Sequence, residues 1–405
     1  MLGNLILKRM RLNILSLRFL YSLVLMVGLA ALSGVITSQD LKTRMQYAQA
    51  RESEWKSALE TARTYNTTYG QAILMPPTLN VIAEGVGDRF GMIARVFGQF
   101  GGVRVGGRAQ SNRLLALLPM DLSHIVGLIL SLVAILLTYD SISGDRESGT
   151  LRLILSYRVA RSTLFISEYL AAVITVVVVL APAVLAWLLA ARTTGLVSFT
   201  PDEWGRLTVF LIAIVLFISI YVTTGLVVSS MLRESVTSLM WGLLIWVVST
   251  SLYPSLAAWS AIQIKPIRSN PHMEERTTLN QMIEQARMAR SLQLISPVYP
   301  FYALASRIAD TDLETYLQFL KYADRYQEQV TAWHGQKLSQ YPERASRWSS
   351  GSDLLDIDSF PQPTPKAAPL TQQVASSFLF LSLLIVFNAL LVLTGLLAVN
   401  RYDPR

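Results

Sequence analysis

Long, nearly charge-free runs alternate with polar stretches along this chain. The apolar runs fall at about 17–38, 122–139, 169–191, 207–231, 237–261 and 375–399. Each matches the roughly 20 helical residues that cross a hydrocarbon layer about 30 Å thick, so six transmembrane helices are predicted. Two long polar segments, 39–121 and 262–374, separate them, with shorter links elsewhere. In the first segment Leu41, Met45, Ala48, Trp55, Leu59 and Ala62 keep a 4,3 spacing broken only at Glu52, the seam of a helix packed along another. The first span is therefore expected to continue beyond the membrane as a stalk. In the second, Leu313, Tyr316, Leu320, Ala323 and Val330 repeat similarly. Two readings stand for these helices: partner stalks, within one subunit or across a dimer, or surface helices on a small domain. Near the N-terminus Leu2, Leu5, Ile6, Met10, Ile14 and Leu17 share one helical face, with Asn4, Lys8, Arg11 and Arg18 on the other. That suits an interfacial helix over 1–16, before the first span.

Composition agrees: 52% of the 405 residues are hydrophobic and 15% charged, against about 25% charged in soluble domains. The net charge of +8 does not call for nucleic acid, because the basic residues gather beside the spans. Lys8, Arg9, Arg11 and Arg18, the membrane-interface candidates, precede the first span. Arg146, Arg152, Arg158 and Arg161 lie between the second and third, and Arg401 and Arg405 follow the last. By the positive-inside rule this face is cytoplasmic, with both termini inside and segments 39–121, 192–206 and 262–374 outside. The N-terminus has the charged-then-apolar order of a signal peptide, but its apolar run exceeds the usual 7–15 residues or so, and a retained first span is expected.

Several chemistries find no support. The chain has no cysteine, and its three histidines, His124, His272 and His334, are far apart, so no metal site is expected. The "PHMEER" stretch with His272, Glu274 and Glu275 reads as solvated loop. No GxxxxGK[ST] phosphate loop occurs, so any ATP acts on another chain, and no catalytic residue is assigned. Glu168, Arg192 and Arg233 lie only at span borders, which weakens an ion-coupled carrier. Asn388 and Gly225, inside spans, read as an interhelical hydrogen bond and a packing site. The glycine cluster from Gly85 to Gly107 is expected to be irregular loop and short amphipathic helices, with Arg89, Arg95, Arg104 and Arg108 meeting lipid headgroups. "SFPQPTPKAAP" reads as an extended linker to the last span.

One stretch stands apart: "YDSISGDRESGTLRLILSYRVAR", residues 139–161. Asp140 ends the second span, Gly144 is expected to break the helix, and Asp145 and Glu147 flank Arg146. Gly149 precedes Thr150, an N-cap candidate for the next helical run. Physics alone leaves it a charged loop. The series Asp140, Gly144, Asp145, Arg146, Glu147, Gly149, Thr150 and Leu151, then Arg161, resembles the motif after the second span of ABC-2-type permease subunits, in the branch of NosY-like and gliding-motility permeases. "PPTLNVIAEGVGDRFG", residues 76–91, is similar to a segment of longer members with enlarged outside loops. Asp145 departs from the Glu of many relatives, and Glu168 falls near a position where many carry a basic residue.

The resemblance implies an all-α integral membrane protein, six transmembrane helices bearing a helical extracytoplasmic domain built from two long loops, in a bacterial cytoplasmic membrane. It further implies a non-catalytic permease subunit of an ABC transporter, without a cofactor of its own. ATP and Mg would be bound by partner ABC ATPase subunits, and the nine motif residues of 140–168 would form the coupling contact. A second permease copy, membrane lipid and a periplasmic or surface accessory protein are the other expected partners. The alternative is a mechanotransmitter that passes ATPase motion outward without transport.

Overall fold

The computed structural model describes residues 2–65, 68–85, 91–98, 102–107, 121–151, 153, 160–195, 197, 199–267, 275–342, 355, 357–363 and 370–400. Arg89, Arg108, Arg152, Arg158, Arg401, Arg405, His272 and Glu274 lie outside these residues, as do the side chain of Glu275 and part of the linker.

Helix α1 (Leu2–Ile14) leads into α2 (Leu17–Glu60), a single helix of 44 residues capped by Ser16, whose Oγ accepts from the Phe19 amide. Strands β1 (Tyr69–Ile73), β2 (Ile93–Phe97) and β3 (Val103–Gly106) form an antiparallel sheet of order β1-β2-β3. Helix α3 covers 122–138. It starts at Asp121, whose carboxylate accepts from the His124 amide, passes through a π-helical stretch Ile125–Leu130, and continues as the α-helix Ser131–Thr138. The short α4 (Ser143–Glu147) follows a turn. Next come α5 (Arg161–Ala191), α6 (Pro201–Met231) and α7 (Ser235–Ile264), the last interrupted by a π stretch at Val248–Leu252. Helices α8 (Glu275–Gln293), α9 (Val298–Ile308), α10 (Leu313–Gln340) and α11 (Leu370–Asn400) follow, and short 3-10 turns occur at Thr78–Val81 and Arg192–Thr194. Among the described residues six helices are long and apolar enough to cross a membrane and one small sheet forms, so the chain is an all-α type of membrane protein.

Helix α6 is the hub of the bundle. A capping box of Thr200 and Glu203, with Pro201 in the first turn, fixes its start. Its Phe210, Phe217 and Tyr221 are fully enclosed. Against α3 it presents Gly225, where an added Cβ would lie 2.0 Å from Thr138 Oγ1; only glycine lets the two helices approach this closely. Against α11 it is held by Asn388, whose Nδ2 donates to the Leu216 carbonyl at 2.8 Å while its Oδ1 accepts from Ser219. Both expectations for these polar and small residues hold. Helices α7 and α11 leave most of their apolar surface outside the protein.

Helix α9 adds a feature that the hydrophobic pattern does not reveal. Its 11 residues are too few to span, yet Phe301 stacks on Phe217, near the middle of α6, with ring centroids 4.4 Å apart. The π stretches of α3 and α7 both face its entry. Tyr302 stacks on His124 at 4.7 Å, and its hydroxyl sits where a Cβ on Gly127 would be. Ser296 Oγ donates to the Ser249 carbonyl at 2.8 Å. Each π turn leaves backbone groups out of the regular ladder, and here one of them is satisfied by the incoming segment.

At the end of the bundle away from α4, termed distal, α2 runs on into a small domain. Its predicted seam is buried at Leu41, Ala48, Trp55 and Leu59. Helix α10 buries Tyr316, Phe319, Tyr326, Val330 and Trp333 in one core with the sheet and the end of α2, so of the two readings for this helix the packed-domain one describes it. Asp312 caps it, accepting from the Thr315 amide at 3.1 Å. The glycine-rich segment is corrected: β2 and β3 replace the expected loop and amphipathic helices. Arg95 and Arg104, cross-strand partners, are exposed, and their guanidinium groups lie over the rings of Tyr69 and Phe97.

Two outcomes test this packing. Gly225→Ala is expected to lower the melting temperature of the detergent-solubilised protein by an overpacking cost of about 1–3 kcal/mol. Adding Thr138→Ala removes the clashing Oγ1 and recovers most of that loss. In the distal core, His334 is buried and Thr68 Oγ1 lies 2.6 Å from its Nε2; burial holds its pKa below the ordinary value of 6.5. The unfolded chain takes up this proton at about pH 6.5 and the folded one resists. Stability of the distal domain is therefore full above that pH and declines as pH falls toward the folded pKa. Melting curves from pH 7.5 to 5 check this, and His334→Gln flattens the dependence.

Candidate functional site: the charged elbow

Between α3 and α5 the chain makes a compact elbow. The turn 139–142 is set by the Ser229 hydroxyl of α6, which accepts from the Ile142 and Ser143 amides, both at 3.0 Å. Ser238 of α7 donates to the Tyr139 carbonyl at 2.7 Å. The bend therefore precedes α4. Gly144, expected to break the helix, lies inside α4, where a Cβ would make only ordinary contact 3.5 Å from Asp140 Cβ. Gly149 is the glycine the backbone requires, at φ +75°, a region that side-chain-bearing residues rarely adopt.

Within the elbow, adjacent residues of opposite charge address opposite helix ends. Arg146 donates from Nη1 to the Leu232 carbonyl at 2.8 Å and from Nη2 to the Ser230 carbonyl at 3.0 Å, closing the C-terminal end of α6. Glu147 accepts from the Ser235 amide at 2.7 Å and from its hydroxyl at 2.8 Å, at the first residue of α7. A cation at a helix C-terminus and an anion at an N-terminus each complement the local dipole and satisfy otherwise orphaned backbone groups. The dipeptide thus clamps both sides of the α6–α7 turn. Arg161, at the start of α5, does the same for α11, donating to the Asn400 carbonyl at 3.2 Å.

The first two helices join the same cluster. Arg18 of α2 pairs with Asp140 at 2.7 Å, its guanidinium 4.8 Å from the centre of the Tyr139 ring. Arg9 of α1 turns inward. Its Nη2 donates to the Ser141 carbonyl at 2.6 Å, its Nη1 lies 3.7 Å from Asp145, and its Nε lies 2.7 Å from the buried carboxylate of Glu168 on α5. Of the four interface candidates, Arg9 and Arg18 thus face elbow carboxylates, while Lys8 and Arg11 are exposed. Glu168, the departure from the resembling pattern, is the inner anchor for Arg9.

The tip is Ser148, Gly149 and Thr150, all exposed. Thr150 is itself helical, and its hydroxyl donates back to the Asp145 carbonyl at 3.2 Å instead of capping the next run. Leu151 is buried, lining a small apolar recess with Ile142, Leu164 and Val399. Leu153, two residues on, is 64% exposed. Sequence reading passed over it, since one leucine among several carries no signal until the register of the turn is known.

A family profile described as "ABC-2 family transporter protein" matches residues 4–399. The chain belongs to the ABC-2 family of transporter proteins. No curated protein matches it. As an ABC-2 family protein it is a multi-pass membrane chain of the permease type. Its family implies an ABC ATPase as partner, with the membrane subunit typically non-catalytic.

Among the elbow contacts, the Glu147–Ser235 pair admits a direct test. Glu147→Ala and Ser235→Ala should each lower the melting temperature, and the double variant should lose less than the sum, because both singles delete one interaction. Additive losses would show the two residues acting separately.

Proposed function

We propose that this ABC-2 family protein is the permease subunit of an ABC transporter and moves its substrate with ATP hydrolysed on separate ATPase subunits that dock at the elbow. One observation carries the reading. A single short segment is bonded to the ends of α2, α6, α7 and α11 and continues into α5, so a push on its tip reaches most of the bundle together. The motif residues divide by role. Arg146, Glu147, Asp140 and Arg161 transmit through their intramolecular contacts, with Asp145 joining through Arg9. Gly149 and Thr150 present the docking surface, joined by Leu153 outside the motif, and Gly144 and Leu151 shape and seat it.

In this reading the elbow and both termini are cytoplasmic, consistent with the basic residues beside it, and the distal domain lies outside, in a bacterial cytoplasmic membrane. Lys8 and Arg11 meet anionic headgroups there. The motif favours the NosY-like and gliding-motility branch. The uncovered apolar faces of α7 and α11 suit lipid and a second permease copy, with the substrate path between two such subunits.

A second reading, a mechanotransmitter that relays ATPase motion to an outside accessory protein, is favoured by α2. This helix runs unbroken from Arg18 at the elbow to Trp55 in the distal core.

Both readings need the ATPase at the tip. Leu153→Asp is expected to cut recovery of the ATPase that copurifies with the wild-type chain by about tenfold, the scale of ~1.4 kcal/mol, with the melting temperature unchanged. Full retention of the ATPase would refute docking at this tip. Cargo flux in proteoliposomes separates the two readings, because the second predicts nucleotide-driven motion of the distal domain without flux.

A further inference from the structure

The sheet of the distal domain has two unlike faces. Ala72, Ala94 and Val96 belong to the aromatic core shared with α10. On the opposite face the register sets Tyr69 beside Phe97 and Arg95 beside Arg104, because side chains two apart along a strand share a face. The two rings lie 5.7 Å apart, and each carries a guanidinium group: Arg95 lies 5.8 Å from the centre of Tyr69, and Arg104 lies 5.3 Å from that of Phe97. Like charges directly opposite one another weaken a strand pair. Yet both arginines are exposed, and neither meets a carboxylate among the described residues. On the adjoining stretch of α2, Glu52 and Glu54 are engaged by Lys56 and Arg51, each at 2.7 Å. Residues 85–120 hold five arginines, a single carboxylate, Asp88, and neither lysine nor glutamate, so the positive excess belongs to the segment itself.

Position selects among the anions that could meet this pair. Gln71, the register partner of Arg95, donates to the Arg51 carbonyl at 2.9 Å, which sets the arginines level with Arg51 of α2. Earlier on α2, Gly34 packs on Ala190, in the last turn of the spanning helix α5, and the apolar run ends at about residue 38. From Ser38 to Arg51 the helix rises about 20 Å, beyond a headgroup layer of about 5–8 Å. The lipid headgroups expected from the sequence are thus out of reach of Arg95 and Arg104. The faces of Tyr69 and Phe97 are taken by the guanidinium groups, which leaves no aromatic platform for a sugar or a base. Neither arginine lines the cleft where α6 meets the distal domain or the recess at the elbow, and an open sheet face gives a small anion no enclosure.

We infer that this face docks an acidic, extended segment of a partner protein on the distal side, with its carboxylates held by Arg95 and Arg104. Two guanidinium forks on adjacent strands, about 5 Å apart at Cα, match carboxylates at alternate positions of an extended chain, about 6.5 Å apart. Arginine, unlike lysine, gives each carboxylate a bidentate contact. The inference involves neither the ATPase nor docking at the elbow.

The test uses the full-length chain, without ATPase, in phosphatidylcholine nanodiscs at about 0.15 M salt, where weak surface attraction is screened. The probe is a synthetic peptide of alternating Glu and Ser bearing a benzophenone, and crosslinks are mapped by peptide mass spectrometry. Labelling is expected within β2 and β3 and should fall about tenfold in R95E/R104E. R95Q/R104Q, which removes the charge without reversing it, should fall in the same direction. Labelling should stay unchanged in K321E/R325E, an equal change of charge at two exposed positions of α10, which packs on the other face of the sheet. Melting temperatures matching the wild type verify that the variants are folded. Equal labelling by a peptide with Gln in place of Glu, undiminished labelling in both arginine variants, or an equal loss in K321E/R325E would overturn the proposal. So would displacement of the peptide by phosphatidylglycerol vesicles or by polygalacturonate at matched charge, which would assign the face to a lipid or a glycan.

Discussion

The α6–α7 turn is where the bundle's main constraint concentrates. Helices inside a hydrocarbon layer satisfy their own backbone groups, but their ends cannot, and a turn of three residues between two spans leaves carbonyls on one side and amides on the other. Arg146 and Glu147 supply both complements from neighbouring positions. Because α4 carries the two side by side, the elbow cannot move relative to α6 and α7 without breaking charge-assisted hydrogen bonds, which are among the stronger ones available. The ion pairs of Arg18 and Arg9 and the Arg161 contact to α11 extend the same logic. Among the described residues of the elbow, most charges fasten helix termini, while Ser148, Gly149, Thr150 and Leu153 face outward.

The distal half is organised differently. Its core is aromatic and apolar, built where α2 leaves the spanning region and meets the sheet and α10. The domain is tethered to the bundle at several points besides the chain crossings. Helix α9 packs among α3, α6 and α11, and Thr311 just beyond it donates to the Ala83 carbonyl at 3.0 Å. Arg44 of α2 reaches Glu84 at 2.6 Å, so residues flanking the sheet, the stalk and the inserted helix share one junction.

How far the sequence was readable depends on how long each signal ran. Six spans and the continuation of α2 as a stalk were legible because each rests on a pattern repeated over many turns. Asn388 and Gly225 were legible because polar and small residues inside apolar helices have few other uses. The sheet was not, since β2 and β3 are five and four residues long, too short for alternation to outweigh a glycine-rich composition. Helix α9 escaped because its 11 residues, Ser306 and Arg307 among them, fall below the length of a span. At the elbow, residue types singled out the segment but not the partners its side chains take. Gly144 and Gly149 cannot be told apart without φ, and the orientation of Arg9 depends on Glu168, far away in sequence. The motif singles out a segment, whereas the contacts that tie it to the bundle are all long-range.

The unbroken length of α2 has a geometric consequence. At 44 residues and a rise of 1.5 Å per residue it measures about 66 Å, more than twice the thickness of the hydrocarbon layer. Arg18 fixes one end to Asp140, and Trp55 and Leu59 fix the other in the distal core. A rigid rod of that length, tilted by only about 5° about its elbow end, carries its far end through roughly 6 Å. A helix of this length has the geometry of a lever arm, in which small rotations at one end become side-chain-sized displacements at the other.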